Sequence, residues 1–379
     1  MYRVFVAVLL LCEAIGAPLR HYHRQGRSSA SDTWIRDASD ITFSWIPDLE
    51  PSKGRTAHES EINISQSSVR HGKKAPITHR SSYETLWSNG SRTLSVLPDS
   101  VLNGSSEIVE ASEAIVGDDG EILTSDSAWR GSRYRRLIFP PDSRIRVNTT
   151  LAAHTFPFSA SVKLSTGCSG TLISRQHVLT SAHCVHNGKS YLQRTSALRV
   201  GFLKRSGKVR WVEVRFVRIP QAWTRVQHVR NDFSVLELQQ THKRDYFNLA
   251  VATKAGSRLQ VHFSSFPGDK RSNTLWYAHC NAQILTDSII SRCDASRGSS
   301  GAGVYTKYRR VNNEDRRALI GILSGSGSAT NSKGRIRKFN AATRITENIS
   351  RQICVWTGFS PNCVSWKQRN VNTRRNSRD

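Results

Sequence analysis

The chain has 379 residues, a formal net charge of +26 at pH 7 and only 37% hydrophobic residues. The length excludes a single small domain, and the modest apolar content predicts that part of the chain lies outside any packed core. The positive charge favours polyanionic partners, which could be nucleic acid, heparan-type glycosaminoglycan or an anionic membrane face, but it carries no information about the fold.

The first residues have the pattern of a secretory signal peptide. Arg3 precedes the short apolar run Val4–Leu11, and Ala14-Ile15-Gly16 then offers small residues for cleavage after Gly16. A membrane anchor is the alternative, but the run is well short of the roughly 20 apolar residues that span a bilayer. Residues 1–16 are therefore predicted to be removed. The mature protein is predicted to be secreted and extracellular, with no membrane span and no nucleic-acid partner.

Residues 17–136 are predicted to be a propeptide that is partly disordered, because the segment is polar and shows few sustained periodic patterns. Residues 99–126 are acidic and are predicted either to cover the basic remainder of the chain or to form an ordinary solvated linker. Arg133-Tyr134-Arg135-Arg136 has the pattern cut by furin-like convertases. Cleavage after Arg136 would make Leu137 the new N-terminal residue.

The cysteine and asparagine patterns fit an exported protein. Of the seven cysteines, Cys12 leaves with the signal peptide, and the six that remain are an even number, which favours disulfides. Many connectivities are open, and proximity along the chain favours Cys168–Cys184, Cys280–Cys293 and Cys354–Cys363. The cysteines show no CxxC spacing of the kind that binds zinc, so we predict no metal and no cofactor. Sequons predict glycosylation at Asn63, Asn89, Asn103, Asn148 and Asn348.

From residue 156 the chain has many short apolar segments separated by turn residues, which predicts an all-β sandwich or barrel. In Trp211–Ile219 the apolar alternation changes phase after Phe216, which predicts a β-bulge. Ile349, Ile353 and Trp356 share one helical face, with Gly358 as a stop, and residues 367–379 form a basic tail. The other predicted strands are Phe158–Leu164, Thr171–Ile173, His177–Thr180, Leu198–Leu203, Ser234–Leu238, Val261–Phe263, Gly303–Tyr305, Leu319–Leu323 and Ala342–Ile345.

Three residues in chain order have the chemistry of a nucleophilic hydrolase. Ser300 lies between glycines in Gly298-Ser299-Ser300-Gly301, where the backbone can turn sharply and its amides can approach a substrate oxygen. A serine hydroxyl needs a base and a carboxylate that orients the base. His183, in Thr180-Ser-Ala-His-Cys184, and Asp232, before a predicted strand, supply both. Each residue alone is more simply a structural side chain, and only the ordered set favours catalysis.

These motifs resemble the trypsin/chymotrypsin-like serine peptidases, most closely the secreted group of serine proteases 23 and 35. Leu179–Cys184 resembles the family's histidine signature, and Asn231–Leu238 resembles its aspartate strand. The resemblance implies two antiparallel β-barrels with the triad between them and a C-terminal helix, in a peptidase domain over residues 137–366. It also implies a protein substrate, an oxyanion hole formed by Gly298 and Ser300, and substrate-pocket residues Asp294, Ser324 and Gly325.

Two departures from the family pattern affect activation and specificity. Ser299 stands where trypsin-like enzymes carry an aspartate that pairs with the newly freed N-terminus, and Leu137 does not begin the usual Ile-Val-Gly-Gly. Cleavage is therefore predicted to remove a cover rather than to switch on the site by that ion pair. Asp294, six residues before Ser300, is predicted either to select Lys or Arg side chains of the substrate or to be a structural turn residue.

The sequence thus predicts a glycosylated serine endopeptidase with Ser300 as nucleophile, His183 as base and Asp232 as its orienting carboxylate. The alternative is a catalytically silent extracellular protein that binds glycosaminoglycan or matrix partners. One branch of the resembling group carries threonine at the nucleophile position. Basic residues support glycosaminoglycan binding under either interpretation, unless they form an ordinary solvated face: Lys204, Arg205, Lys208, Arg210, Arg215, Arg218, Arg309 and Arg310.

Overall fold

A computed structural model describes residues 43–45, 82–97, 114–116, 122–124, 137–150, 152–193, 197–252, 255–309, 315–330 and 336–358. These residues belong to one unit, Ala38–Asp379, and the other unit, Met1–Asp37, has no described residue. The predicted signal peptide, the cleavage site at Arg136, Asn63, Asn103, Cys363 and the basic tail lie outside the described residues. No helix within the described ranges has the length and apolar composition needed to cross a membrane.

Several short strands precede the region that the sequence predicts to be β-rich. β2 and β3 form an antiparallel hairpin, β4 and β5 form another, and β1 pairs with a strand near residue 250. The bounds are β1 Phe43–Trp45, β2 Ser82–Trp87, β3 Arg92–Val96, β4 Ala114–Val116, β5 Ile122–Thr124 and β6 Ile145–Arg146.

The first barrel is a closed antiparallel sheet of six strands in the order β10-β7-β8-β9-β12-β11, closed by pairing between β10 and β11. Its pairing shifts register between Val214 and Phe216, where the change of apolar phase predicts a bulge. Phe158–Ala160 form a short 3-10 turn, so the predicted first strand begins only at Ser161. The bounds are β7 Ser161–Leu164, β8 Ser169–Leu172, β9 His177–Thr180, β10 Arg199–Leu203, β11 Val209–Pro220 and β12 Ser234–Leu238.

The second barrel follows β13 (Ala250–Ala252) and is a closed sheet in the order β14-β17-β18-β19-β16-β15. Its core is made largely of small and β-branched residues around Phe263, so the sheet can close tightly. β6 extends this sheet at β15. The bounds are β14 Arg258–Ser265, β15 Trp276–Ile284, β16 Ser288–Ser291, β17 Gly303–Arg309, β18 Asp315–Thr330 and β19 Ile336–Arg344.

Two α-helices of the described residues, α1 (Gln221–Arg225) and α2 (Glu347–Trp356), pack against this framework. α2 begins where the Thr346 hydroxyl accepts a hydrogen bond from Ile349 N at 3.3 Å, and it ends before Gly358, whose φ is +70°. Ile353 and Trp356 are fully buried in the core of the first barrel. The expected fold of two antiparallel β-barrels with a C-terminal helix is therefore confirmed.

The hairpin β2–β3 belongs to the sheet of the first barrel, although its residues lie within the predicted propeptide. β2 pairs with Phe216–Pro220 of β11. Tyr83, Leu86 and Leu97 are buried in the core of that barrel. Part of the segment predicted to be a removable cover is thus built into the fold.

Candidate active site

His183 lies in the 3-10 turn Ala182–Cys184 that follows β9. The disulfide Cys168–Cys184 ties this turn to the start of β8, and its Cα atoms are 5.9 Å apart. One donor atom each of Cys168, His183 and Cys184 lies within 4.8 Å of the others. Because both sulfur atoms are already joined in the disulfide, this group is not a metal site.

Asp232 holds His183 through two atoms. Its Oδ2 lies 2.7 Å from His183 Nδ1, and its Oδ1 accepts a hydrogen bond from the backbone N of His183 at 2.9 Å. The Ser324 hydroxyl also donates to Oδ2. Burial alone would raise the pKa of Asp232, but the charge of His183 and the hydrogen bonds from His183 and Ser324 hold that pKa below its ordinary value. The carboxylate therefore stays ionised and fixes the orientation of the imidazole.

The loop that carries Ser300 lies directly against β8 and β9. Ser169 N donates to Ser300 O at 2.8 Å, and the Ser169 hydroxyl donates to Gly298 O at 2.9 Å. Gly301 has φ +79°, and a Cβ there would overlap Thr180 Oγ1 and Ser169 O. Ser300 therefore lies at the junction of the two barrels, on a loop that packs against the strand ending just before His183.

The two amides predicted to form the oxyanion hole have defined orientations. In a trans peptide the N–H and the C=O point in opposite directions. Gly268 N donates to Arg297 O at 2.6 Å, so the Gly298 N–H points away from Gly268. Ala302 N donates to Ser299 O at 3.2 Å, so the Ser300 N–H points away from Ala302. Their convergence on one substrate oxygen stays a prediction.

Ser299, the residue that replaces the family's aspartate, is fully buried. Its hydroxyl accepts a hydrogen bond from the Ser265 hydroxyl at 3.0 Å, which joins the Ser300 loop to the end of β14. A neutral serine pair thus occupies this position.

Asp294 is buried, and its carboxylate accepts hydrogen bonds from the segment that begins at Leu137. Oδ1 accepts from Phe139 N at 2.6 Å, and Oδ2 accepts from both N and Oγ of Ser143 at 2.8 and 2.6 Å. These bonds favour the structural interpretation of Asp294 over a role in selecting a basic substrate side chain.

Asn340 and Arg144 complete the attachment of this segment, and sequence reasoning missed both. The Asn340 amide accepts from Leu137 N at 2.9 Å and donates to Leu137 O at 2.7 Å and to Cys293 O at 2.8 Å. The Arg144 side chain is 1% exposed and contacts Asp142, Asp269 and Ser296. Asp142 is close to Arg144 in sequence, but Asp269 and Ser296 and both partners of Asn340 lie far along the chain, so a local pattern could not have indicated these contacts.

Ser324 and Gly325, predicted to contact substrate, lie in β18 where its pairing with β19 shifts register. The Ser324 hydroxyl is directed to Asp232, and Leu323 O accepts from both Gly301 N and the Ser181 hydroxyl. This part of β18 therefore links the aspartate, the histidine turn and the serine loop. Substrate pairing along it stays a prediction.

The structure contains the disulfides Cys168–Cys184 and Cys280–Cys293, two of the three pairings that proximity favours. Cys354 is buried in α2, and its expected partner Cys363 lies outside the described residues. Asn89, Asn148 and Asn348 are exposed, as glycosylation would require.

The family model for Trypsin matches residues 145–349. Serine protease 23 from Homo sapiens is 36% identical over 303 residues, covering 73% of this chain and 75% of that protein. Inactive serine protease 35 from Mus musculus is 32% identical over 348 residues, covering 75% of this chain and 80% of that protein. A solved structure, of Glu endopeptidase in complex with MPD, covers 58% of this chain and 99% of that chain, with 18% identity and a TM-score of 0.45.

Proposed function

Since this chain belongs to the trypsin family of serine proteases, we propose that it is a secreted endopeptidase that hydrolyses protein substrates through an acyl-enzyme on Ser300. The proposal includes an N-glycosylated precursor that a furin-like convertase cuts after Arg136. The observation that carries it is the buried His183–Asp232 pair, with 2.7 Å between Nδ1 and Oδ2, beside the glycine-flanked Ser300 loop.

In the proposed reaction, Ser300 Oγ attacks the substrate carbonyl carbon while His183 Nε2 takes the hydroxyl proton. The tetrahedral intermediate collapses when the imidazolium gives that proton to the leaving amine, and the acyl group stays on Ser300. Water then attacks the ester with His183 again as base, which releases the acid and restores the hydroxyl. Asp232 stays ionised throughout and stabilises the imidazolium through its contact with Nδ1.

The oxyanion of each tetrahedral intermediate would be bound by the amides of Gly298 and Ser300. Removal of one such donor in hydrolases costs about 3 kcal/mol of transition-state stabilisation. The Ser169 hydrogen bonds to Gly298 O and Ser300 O support a fixed conformation of this loop.

Labelling with a fluorophosphonate probe tests the catalytic proposal. We expect protein cleaved after Arg136 to be labelled, and Ser300→Ala to abolish labelling because the nucleophile is gone. Ser206→Ala is the control, because Ser206 is exposed in the turn between β10 and β11 and should leave labelling unchanged. Processed wild-type protein that is folded but never labelled would overturn the proposal.

A catalytically silent protein that binds glycosaminoglycan is the second candidate. One relative is named an inactive serine protease, and the turn between β10 and β11 exposes Lys204, Arg205 and Lys208. Ser300, His183 and Asp232 together favour the endopeptidase. The absence of probe labelling, with heparin binding retained, would favour the silent protein.

A further inference from the structure

The edge of β11 opposite to β12 is shared by two partners. β10 pairs with Val209–Glu213, and β2 pairs with Phe216–Pro220. β2 must lie on the edge away from β12, because Phe216–Arg218 pair with both strands. The hairpin β2–β3 therefore satisfies backbone groups of β11 that the six barrel strands leave unpaired on that edge.

The side chains of the hairpin are part of the core of the first barrel. Tyr83 and Leu97 are each 2% exposed, and the Tyr83 ring lies 5.3 Å from that of Trp356 in α2. Trp87 packs edge-on against Phe216 at 5.5 Å. The hairpin thus covers apolar surface of both β11 and α2, and that surface would be exposed to water without it.

A buried cation of β11 also contacts the hairpin. The Arg218 guanidinium lies 5.4 Å from the Tyr83 ring centroid, and its Nε donates to Thr85 Oγ1 at 3.3 Å. The same guanidinium donates to Trp356 O through Nη1. Arg218 is 6% exposed, so loss of the hairpin would remove two of its contacts.

The hairpin and the peptidase domain have no covalent link other than the backbone through residue 136. The sequence has no cysteine between Cys12 and Cys168, so no disulfide can hold residues 82–97 after cleavage. We infer that residues 82–97 nevertheless stay bound to β11 and α2 when the chain is cut after Arg136, and that the processed protein is a non-covalent two-chain molecule. This inference rests on the proposed cleavage after Arg136 and does not depend on the proposed catalytic activity.

A controlled cut tests the inference in the full chain. Residues 133–136 are replaced by the recognition sequence of a site-specific protease, a tag is placed after Gly16, and the cut protein is run on size exclusion in about 1 M NaCl, which screens exposed charges. We expect the tagged fragment to co-elute with the peptidase domain and to separate only in denaturant. Separate elution of the folded peptidase domain would overturn the inference. Co-elution at low salt that is lost in about 1 M NaCl would also overturn it, because attraction between the acidic residues 99–126 and the basic domain would then account for binding.

Two substitutions locate the contact. Leu86→Asp places a charge in the core, and we expect the fragment to dissociate on the order of 100-fold more readily. Val96→Asp is the control on the same hairpin, because Val96 is 54% exposed, and it should leave co-elution unchanged. If Leu86→Asp prevents folding, amide hydrogen exchange on the cut wild-type protein decides. Amides of β2 and of residues 216–219 should stay protected, because both segments are paired on two sides, and rapid exchange in both would contradict retention.

Discussion

Two aspartates near the candidate site are both buried and have different partners. Asp232 accepts from His183 and Ser324, whereas Asp294 accepts from the backbone and hydroxyl of residues more than 150 positions away. The contact of Asp232 with His183 could be predicted from sequence, because its motif and chain order are typical of triad chemistry. The role of Asp294 could not, because two of its three donors are backbone amides, which no side-chain pattern reveals.

Asp294→Asn tests whether this residue selects substrate or supports the fold. The asparagine side chain would keep one acceptor oxygen, but its NH2 group would face groups that themselves donate, so buried hydrogen bonds would be lost. We expect the free energy of unfolding to fall by about 2 kcal/mol. We expect no change in side-chain preference on a peptide library. Ser143→Ala is the milder control, since it removes only the hydroxyl donor to Oδ2. Unchanged stability with selective loss of cleavage after Lys and Arg would contradict the structural role.

The Arg144 cluster gives a pH dependence with a defined sign. Hydrogen bonds from Arg144 hold the pKa values of Asp142 and Asp269 below their ordinary range. Carboxylates with lowered folded-state pKa values stabilise the protein above their unfolded pKa of about 3.9, and this stabilisation is lost as the pH falls through the folded values.

We therefore expect Arg144→Met to lower stability at neutral pH and to flatten the decline in stability below about pH 4. Urea midpoints followed by circular dichroism from neutral to acid pH measure both effects. Arg146→Met is the control, because Arg146 is exposed two residues further on. An equally steep acid decline in Arg144→Met would show that this cluster does not control it.

At the scale of elements, short apolar segments between turn residues predict β9 and β12 at their observed bounds, and the change of phase in the apolar alternation predicts the bulge in β11. β15 has no such alternation, since its buried and exposed residues do not follow a period of two, and it was missed. The hairpin β2–β3 was also missed, although Asn89-Gly90 between two short apolar segments is a strong hairpin signal. Gly90 has φ +87°, the left-handed conformation that often ends a type I turn in the longer hairpin loops.

The Ser300 loop meets β8 and β9 at a point that tolerates no side chain. We expect Gly301→Ala to reduce probe labelling at least about 100-fold, because its Cβ would overlap Thr180 Oγ1 and Ser169 O and displace the loop. Gly207→Ala is a matched control, since its φ of +76° is similar but no atom lies within 4 Å of an added Cβ. Equal labelling of the two variants would contradict this packing argument.

At the scale of the whole molecule, the net charge of +26 predicts polyanion binding without locating it. The structure locates exposed Lys204, Arg205 and Lys208 together in the turn between β10 and β11, whereas Arg215 is paired with Glu237 at 3.0 Å. The prediction that Arg218 contributes to a polyanion site is wrong, because its side chain is buried. Sequence alone cannot distinguish exposed basic residues from ion-paired ones, because pairing depends on which strands are neighbours in the sheet.

We expect the triple change of Lys204, Arg205 and Lys208 to Gln to lower the salt concentration at which the protein elutes from heparin, because fewer counterions are displaced. Arg215→Gln is the control and should change elution less, since its charge is already compensated. Elution of the wild-type protein below physiological salt would rule out this surface as a polyanion site.

Each disulfide of the described residues joins parts of a single barrel. His183 and Asp232 come from the first barrel, whereas Ser300 comes from the second, so the proposed catalytic group spans a seam that no disulfide of the described residues crosses. If heating loosens this seam before the sheets unfold, we expect probe labelling of Ser300 to be lost at a lower temperature than the β-sheet signal and to return on cooling.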